Sequence, residues 1–249
     1  MKLNDDLLVL ELQVNLMGGP TLLHPVVILD DQAGHTLVDA GTPNLEDAIN
    51  AALGEVGASL KDIKRVIVTH HDLDHIGSLP AVIAASGAQV WALEREIPLI
   101  DGRERPQKRP PPEQVDAMLA DPNTPPHIQA MLRMPPITVQ VDRALHDGEE
   151  LPLAGGVRVI ATPGHTFGHA SLYLERGKTL IAGDALTSQG GTLGGPPPQA
   201  TPDMTAAGES VGKLAGLDVQ TIVTYHGGVV RENAKEQVNQ VAEQMAAAE

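Results

Sequence analysis

Four predicted strands of this sequence each end at histidine or aspartate side chains. The first, residues 65–69, is a β-branched run that leads directly into a cluster of five such residues, four of them candidate ligands. The carboxyl ends of strands in open α/β sheets share one edge, so side chains that follow them lie close together. Histidine and aspartate bind transition metals, and the chain has no cysteine for that role. The candidate metal ligands are His70, Asp72, Asp74, His75, His165, Asp184 and His226.

The spacing within the first cluster predicts two metal positions. In an extended segment His70 and Asp72 point to the same side, because they are two residues apart. Asp74 and His75 enter the following predicted helix, so their side chains address a second point nearby. One short segment can therefore serve two metal ions, which in paired sites lie ~3.5–4 Å apart.

The elements that must position these residues alternate between strands and helices, which predicts an α/β fold. We expect a single domain over residues 1–249. Residues 102–136 differ in character, because they are rich in proline and carry a cluster of four basic side chains. Two short helical patterns, 113–119 and 127–134, favour an inserted cap there. The glycine- and proline-rich residues 188–200 are expected to form a mobile loop.

Composition excludes several classes of function. The net charge of −15 makes nucleic acid an unexpected partner, since an acidic surface repels phosphate backbones. The absence of cysteine excludes disulfide frameworks and thiolate nucleophiles. No stretch has the length of a membrane helix, and the amino terminus lacks the order of a secretory signal. We therefore expect a cytoplasmic protein that acts on a small molecule, with no membrane partner; its oligomeric state is open, a homodimer being one option.

The motifs around the candidate ligands resemble those of the metallo-β-lactamase-fold superfamily. The resemblance extends from about residue 37 to residue 228. It implies a four-layered αββα sandwich of two mixed β-sheets. The matching pieces are Leu-Val-Asp-Ala-Gly (37–41), Thr-His-His-Asp-Leu-Asp-His-Ile-Gly (69–77), Thr-Pro-Gly-His-Thr-Phe-Gly-His (162–169), Ala-Gly-Asp (182–184) and Tyr-His-Gly-Gly (225–228).

The resemblance also implies a ligand set for two divalent metal ions. His70, Asp72 and His165 would hold one ion, Asp74, His75 and His226 would hold the other, and Asp184 would bridge them. The usual superfamily motif is His-x-His-x-Asp-His, so Asp72 stands here at the second histidine position. This extra oxygen ligand tilts selectivity toward manganese or iron, although zinc still ranks first.

Further residues are expected to support the ligands or to move protons. Asp39, which stands beside a glycine turn, is expected to fix that turn or to orient a ligand histidine. His71 and His169 are expected behind the ligands, where side chains of this kind orient them by hydrogen bonds. Asp74 and Asp184 are candidates for accepting or shuttling a proton. No residue can be assigned to substrate binding.

The implied activity is hydrolysis of a small ester, lactone or thioester by a metal-bound hydroxide. Quorum-quenching lactonases of this fold often place a tyrosine shortly after the bridging aspartate, whereas Asp184 is followed by Ala185-Leu186-Thr187. That difference leaves acyl-homoserine lactones in doubt as substrates. Two alternatives stay open, a di-iron redox or oxygen-binding protein of the same fold and a phosphodiesterase. The di-iron class also carries a carboxylate at the position of Asp72, but normally adds a flavin domain.

Overall fold

Apolar side chains alternate between two cores along the central strands, and this alternation produces a layered fold. In the strand Ile63–Val68, Val66 and Val68 belong to one apolar cluster and Ile67 belongs to another. Because successive side chains of a strand point to opposite faces, both faces of the sheet must be covered. The computed structural model describes residues 1–16 and 19–247, and in it a second sheet covers one face and helices cover the other.

The elements alternate along the chain. The strands of the first half are β1 (Leu7–Val9), β2 (Leu12–Leu16), β3 (Gly19–Leu23), β4 (Val26–Ile28), β5 (His35–Val38), β6 (Ile63–Val68), β7 (Gln89–Leu93) and β8 (Arg143–Leu145). The strands of the second half are β9 (Glu150–Leu151), β10 (Val157–Ala161), β11 (Ala170–Leu174), β12 (Thr179–Gly183), β13 (Thr187–Gln189), β14 (Thr192–Gly194), β15 (Thr221–Thr224) and β16 (Gly228–Val230). The helices are α1 (Glu46–Gly54), α2 (Leu73–Ile76), α3 (Leu79–Ser86), α4 (Ile97–Ile100), α5 (Pro112–Ala120), α6 (Pro126–Arg133), α7 (Met204–Ala215) and α8 (Ala234–Ala246).

Two mixed sheets form the centre of the described part of the chain. The first has the strand order β1-β4-β5-β6-β7-β8, with β5 to β8 parallel and β1 and β4 antiparallel to their neighbours. The second has the order β16-β15-β12-β11-β10-β9, in which β12 and β15 are parallel and the other pairs antiparallel. This topology confirms the predicted α/β class and the two mixed sheets.

Three apolar clusters separate the four layers. The middle cluster joins the inner faces of the sheets, with Val38 and Ile67 from the first and Leu172 from the second. A second cluster packs the outer face of the first sheet against α1 and α3. A third packs the outer face of the second sheet against α7 and α8. The order of layers is therefore helix, sheet, sheet, helix.

The proline-rich segment and the glycine-rich segment both contain regular elements, the first as predicted and the second not. Helices α5 and α6 lie within residues 102–136, close to the predicted helical patterns. The prediction of a mobile loop at 188–200 is wrong over its first part, where β13 and β14 form a hairpin. Gly190 and Gly191, both with positive φ, make its turn, and buried Leu193 packs against the layer of α7 and α8. Within residues 1–16 and 19–247, no helix is long and apolar enough to span a membrane.

A close backbone approach fixes the position of α2, which carries two candidate ligands. Gly77 directly follows this helix, and a Cβ atom built there would lie 2.4 Å from Pro43 N and 2.4 Å from Thr42 C. Both atoms belong to backbone, which cannot move aside as a flexible side chain can. The helix is therefore held against the loop that follows β5.

We expect Gly77→Ala to lower the free energy of unfolding by about 1–3 kcal/mol, because the added methyl group forces backbone apart. Chemical denaturation measures this change. Gly212→Ala is the matched control, since Gly212 lies inside α7 with open space at its Cβ position. It should raise stability by about 0.5–1 kcal/mol. Equal stability of the Gly77→Ala variant and the wild type would show that the helix has room to shift.

Candidate metal centre

The candidate ligands lie at one end of both sheets, where strands of the same direction finish. The loop after β6 carries the first cluster, and its last two candidate ligands fall within α2. Strands β10, β12 and β15 run in one direction, because β10 and β12 are each antiparallel to β11 and β15 is parallel to β12. The residues that follow these three strands include His165, Asp184 and His226, so separate parts of the chain converge.

A first group consists of His70, Asp72 and His165, whose ligand atoms lie within 4.8 Å of one another. Asp72 Oδ2 lies 3.4 Å from His70 Nε2 and 3.2 Å from His165 Nε2. The two imidazoles thus face the same carboxylate oxygen from different loops. Two nitrogens and one oxygen form a donor set that suits zinc, iron or manganese.

A second group consists of Asp74, His75 and His226, which meet the same distance limit. Asp74 Oδ2 lies 3.1 Å from His226 Nε2 and 3.9 Å from His75 Nε2. Both carboxylates that follow β6 therefore pair with a histidine from the second sheet. The segment 70–75 contributes to both groups, as its spacing predicts.

Asp184 lies between the two groups. Its Oδ2 atom is 3.3 Å from His165 Nε2, in the first group, and 3.4 Å from His226 Nε2, in the second. Its Oδ1 atom is 3.5 Å from His75 Nε2. One carboxylate thus reaches ligands of both groups, which is the arrangement of a bridging ligand.

Unpaired polar atoms inside the cluster fit the binding of cations. His70 Nε2, His75 Nε2 and Asp184 Oδ1 are buried and have no hydrogen-bond partner among the residues that the structure describes. A buried polar atom without a partner costs about 1–3 kcal/mol, so three such atoms in one place require an explanation. All three point into the space that the two groups share. Divalent cations would satisfy them, and the donor set therefore fits metal.

The electrostatics of the cluster favour added positive charge. Burial raises the pKa of the Asp184 carboxyl, but His75 and His226 outweigh it and hold that pKa well below its usual range. Burial disfavours a charged His226, yet Asp184 and Asp74 raise its pKa to about 10. For fully buried His70, desolvation dominates, and its pKa is lowered well below the usual value. The Asp184 carboxylate therefore stays ionised and draws cations, while His70 is a neutral nitrogen donor.

Asp39 orients a ligand from behind. Its Oδ2 lies 2.9 Å from His75 Nδ1 and accepts a hydrogen bond from Thr69 Oγ1 at 2.7 Å, and its Oδ1 accepts one from Thr69 N at 2.8 Å. Because a carboxylate only accepts, His75 Nδ1 carries a proton that it donates to Asp39, and Nε2 faces the centre. Asp39 adopts φ of 62°, a conformation that aspartate tolerates better than most residues.

His169 lies outside both groups and supports the bridging carboxylate. Its Nε2 accepts a hydrogen bond from Asp184 N at 3.0 Å, and its Nδ1 lies 2.8 Å from Thr162 Oγ1. Burial lowers the pKa of His169 to about 3, so the ring is neutral. The loop of His165 and the backbone of Asp184 are thereby connected through one imidazole.

Glu96 is a functional candidate that sequence reasoning missed. It is fully buried and connects two ligand-bearing loops. Its Oε1 accepts from His71 N at 2.9 Å and forms a short contact with His71 Nδ1. Its Oε2 accepts from Thr166 Oγ1 at 3.1 Å and from Gly168 N at 3.0 Å. His71 is thus engaged behind the ligands, and the loop of Asp72 is joined to the loop of His165.

Tyr225 was also missed, although it directly precedes a candidate ligand. Its ring stacks on His75, with centroids 3.8 Å apart, and its hydroxyl donates a hydrogen bond to Asp74 O. The available signal was its place in the Tyr-His-Gly-Gly motif, directly before His226. No sequence motif pointed to Glu96, because its partners lie 25 and 70 residues away along the chain.

With this geometry established, similarity to known proteins defines the class. The model of the metallo-beta-lactamase superfamily matches residues 19–226. The chain therefore belongs to the metallo-β-lactamase superfamily, as its motifs predict.

Individual relatives agree with this assignment. The chain is 34% identical over 204 residues to the probable metallo-hydrolase YflN of Bacillus subtilis (strain 168), covering 77% of this chain and 74% of that protein. It is 29% identical over 215 residues to a hydroxyacylglutathione hydrolase of Fuscovulum blasticum, covering 84% of this chain and 65% of that protein. The crystal structure of a metallo-beta-lactamase family protein from Thermus thermophilus superposes with a TM-score of 0.72 at 26% identity, covering 99% of this chain and 80% of that one.

We expect Glu96→Gln to weaken metal binding, since the amide places a donor against groups that already donate. Unfolding free energy should fall by about 1–3 kcal/mol, the cost of leaving buried partners unsatisfied. Competition with a chromophoric chelator measures the metal affinity, and denaturant titration measures stability. The control is Glu94→Gln, because the Glu94 side chain is 73% exposed in the same turn. If both variants behave like the wild type, Glu96 does not position the loops.

Proposed function

We propose that the chain is a dinuclear metal-dependent hydrolase of a small ester, lactone or thioester. The observation that carries the proposal is the position of Asp184, within 3.5 Å of histidines from both groups. A shared carboxylate between two ligand sets suits a pair of metal ions. Relatives that include a probable metallo-hydrolase and hydroxyacylglutathione hydrolases support hydrolysis.

The chain's own residues define what the centre can do. When bound, two divalent ions lower the pKa of a coordinated water toward ~7 and polarise a carbonyl oxygen. The protein contributes fixed positions for these ions, set by loops that buried hydrogen bonds connect. The residues that would hold them are His70, Asp72 and His165 for one, Asp74, His75 and His226 for the other, and Asp184 for both.

Asp74 is better placed than Asp184 to exchange protons with solvent. The Asp74 side chain is 20% exposed, whereas that of Asp184 is 7% exposed. Asp74 also has its backbone carbonyl fixed by the hydroxyl of Tyr225. We assign Asp74 the role of carrying a proton to the leaving group, and Asp184 the role of holding the two halves of the centre together.

The surroundings of Asp184 narrow the substrate class. Ala185 and Leu186, which follow it, are buried in the apolar layer beneath α7 and offer no hydroxyl to a substrate. This favours simple esters and thioesters over acyl-homoserine lactones. A net charge of −15 disfavours a nucleic-acid phosphodiester. Cytoplasmic location and a homodimer stay predictions.

We propose zinc as the native metal, with manganese or iron as the alternative that Asp72 favours. Asp72 supplies a hard oxygen where the common motif supplies nitrogen, and hard ligands suit iron and manganese better than zinc. This residue is also the specific observation that favours the second candidate function, a di-iron redox or oxygen-binding protein.

Activity with defined metals tests the proposed function. We expect protein stripped by chelator to be inactive, and protein reloaded with zinc or manganese to contain two ions per chain and to hydrolyse members of an ester, lactone and thioester panel. Asp184→Asn should reduce hydrolysis by at least ~10–100-fold, because even the loss of a residue that only supports a metal ligand has an effect of that size. Asp31→Asn, an exposed site, is the control. Two irons, bound oxygen and no hydrolysis would favour the redox alternative instead.

A separate substitution tests the role of Asp72 in metal choice. Asp72→His restores the common motif and removes one negative charge, so we expect the preference for zinc over manganese to rise about tenfold or more. Competitive loading from a mixture, read by elemental analysis, measures the ratio. An unchanged ratio would indicate that Asp72 does not contact the metal.

A further inference from the structure

Lys108 reaches into the metal centre from the proline-rich residues 102–136. Its Nζ atom lies 2.5 Å from Asp72 Oδ2 and 2.7 Å from His165 Nε2. The side chain is 24% exposed, so it approaches from the open side of the centre. An ammonium group therefore stands against two ligands of the first group, at the side where a substrate would enter.

The other basic side chains of the same segment are engaged elsewhere or face solvent. Arg103 pairs with Asp101 at 2.7 Å. Arg109 donates to the carbonyl oxygens of Leu132 and Met134, at 2.8 and 3.0 Å, and so holds the end of α6. Arg105 is exposed. Lys108 thus differs from Arg103, Arg105 and Arg109 because its side chain points toward the candidate ligands.

Two hydrogen bonds, one from the backbone and one from the side chain, hold Gln107, the residue before Lys108. Gln107 N donates to His71 Nε2 at 3.4 Å, and Gln107 Oε1 accepts from Phe167 N at 3.1 Å. Since Glu96 engages His71 Nδ1, the Nε2 atom is free to accept. His71 directly precedes Asp72, and Phe167 lies two residues after His165. The two bonds therefore attach the segment of Lys108 to both ligand-bearing loops.

Binding of metal would redirect the lysine without removing it. A divalent ion on Asp72 and His165 would repel an ammonium that contacts the same atoms. The lysine stem has four flexible carbons, while the preceding residue, Gln107, is held in place, so the ammonium can turn toward the open face and stay beside the centre. The positive charge of two divalent ions would also exceed the negative charge of the three ligand carboxylates. Lys108 would add to this excess of positive charge.

We propose that Lys108 recognises a carboxylate on the substrate, which makes the substrate an anionic ester, thioester or lactone. This inference rests on the proposed hydrolase function and assigns its substrate class. A charge-assisted hydrogen bond from the ammonium would hold the carboxylate at the mouth of the centre. The scissile carbonyl of the same molecule would then face the ligands of the two groups.

Matched substrates test the proposal in the zinc-loaded protein. The pair is 4-nitrophenyl hemisuccinate and its methyl ester, which differ by one carboxylate. We expect Lys108→Ala to raise KM about tenfold for the hemisuccinate and to leave KM for the methyl ester unchanged. Lys108→Arg should lose less, because it keeps the charge, and Arg105→Ala should match the wild type. Equal changes for both esters would overturn the proposal.

Binding of succinate provides a readout that does not depend on activity. By calorimetry we expect zinc-loaded Lys108→Ala to bind succinate about tenfold more weakly than the wild type, with unchanged zinc content. Equal affinities, no binding by the wild type, or a zinc content altered by the substitution would overturn the assignment. If the wild type hydrolyses neither ester, the proposed hydrolase function fails for these esters. The succinate measurement then still decides whether Lys108 binds a carboxylate.

Discussion

Three partly or fully buried carboxylates, crowded against four histidines, impose the constraint on which this structure depends. Asp72 and Asp74, from the segment after β6, and Asp184, from the loop after β12, converge to within a few ångströms of the same imidazole nitrogens. Burying several ionised carboxylates is unfavourable unless positive charge compensates them. Without metal, protonated histidine and Lys108 provide that charge. With metal, two divalent ions would do so, and in the proposed function the same constraint would serve hydrolysis.

The remainder of the fold keeps these groups in place. The two sheets bring separate loops to one edge, and buried hydrogen bonds then fix each loop relative to the next. Asp39 sets the orientation of His75, His169 connects to the backbone of Asp184, and Glu96 joins the loop of Asp72 to that of His165. Positioning therefore depends on polar contacts behind the ligands in addition to the apolar layers.

Sequence reasoning was most effective where chemistry is local. The convergence of seven candidate ligands followed from their positions at strand ends, since a strand direction and a two-residue spacing determine where side chains point. The layered fold was implied by the resemblance of the motifs to those of the metallo-β-lactamase-fold superfamily. Glu96 was not predictable, because its hydrogen bonds join segments far apart in the chain. The sequence did not indicate that Lys108, among the four basic residues of its cluster, points toward the candidate metal centre. The β13–β14 hairpin was missed because its strands are short and polar, without an alternating apolar pattern.

The central claim is that one centre holds two metal ions which share Asp184. A crystal structure of the zinc-loaded protein, with anomalous difference maps across the zinc edge, tests it most directly. We predict two peaks, one among His70, Asp72 and His165 and one among Asp74, His75 and His226, each within coordination distance of Asp184. A single peak, or an Asp72 carboxylate that keeps its contact with Lys108 and binds no metal, would contradict this account.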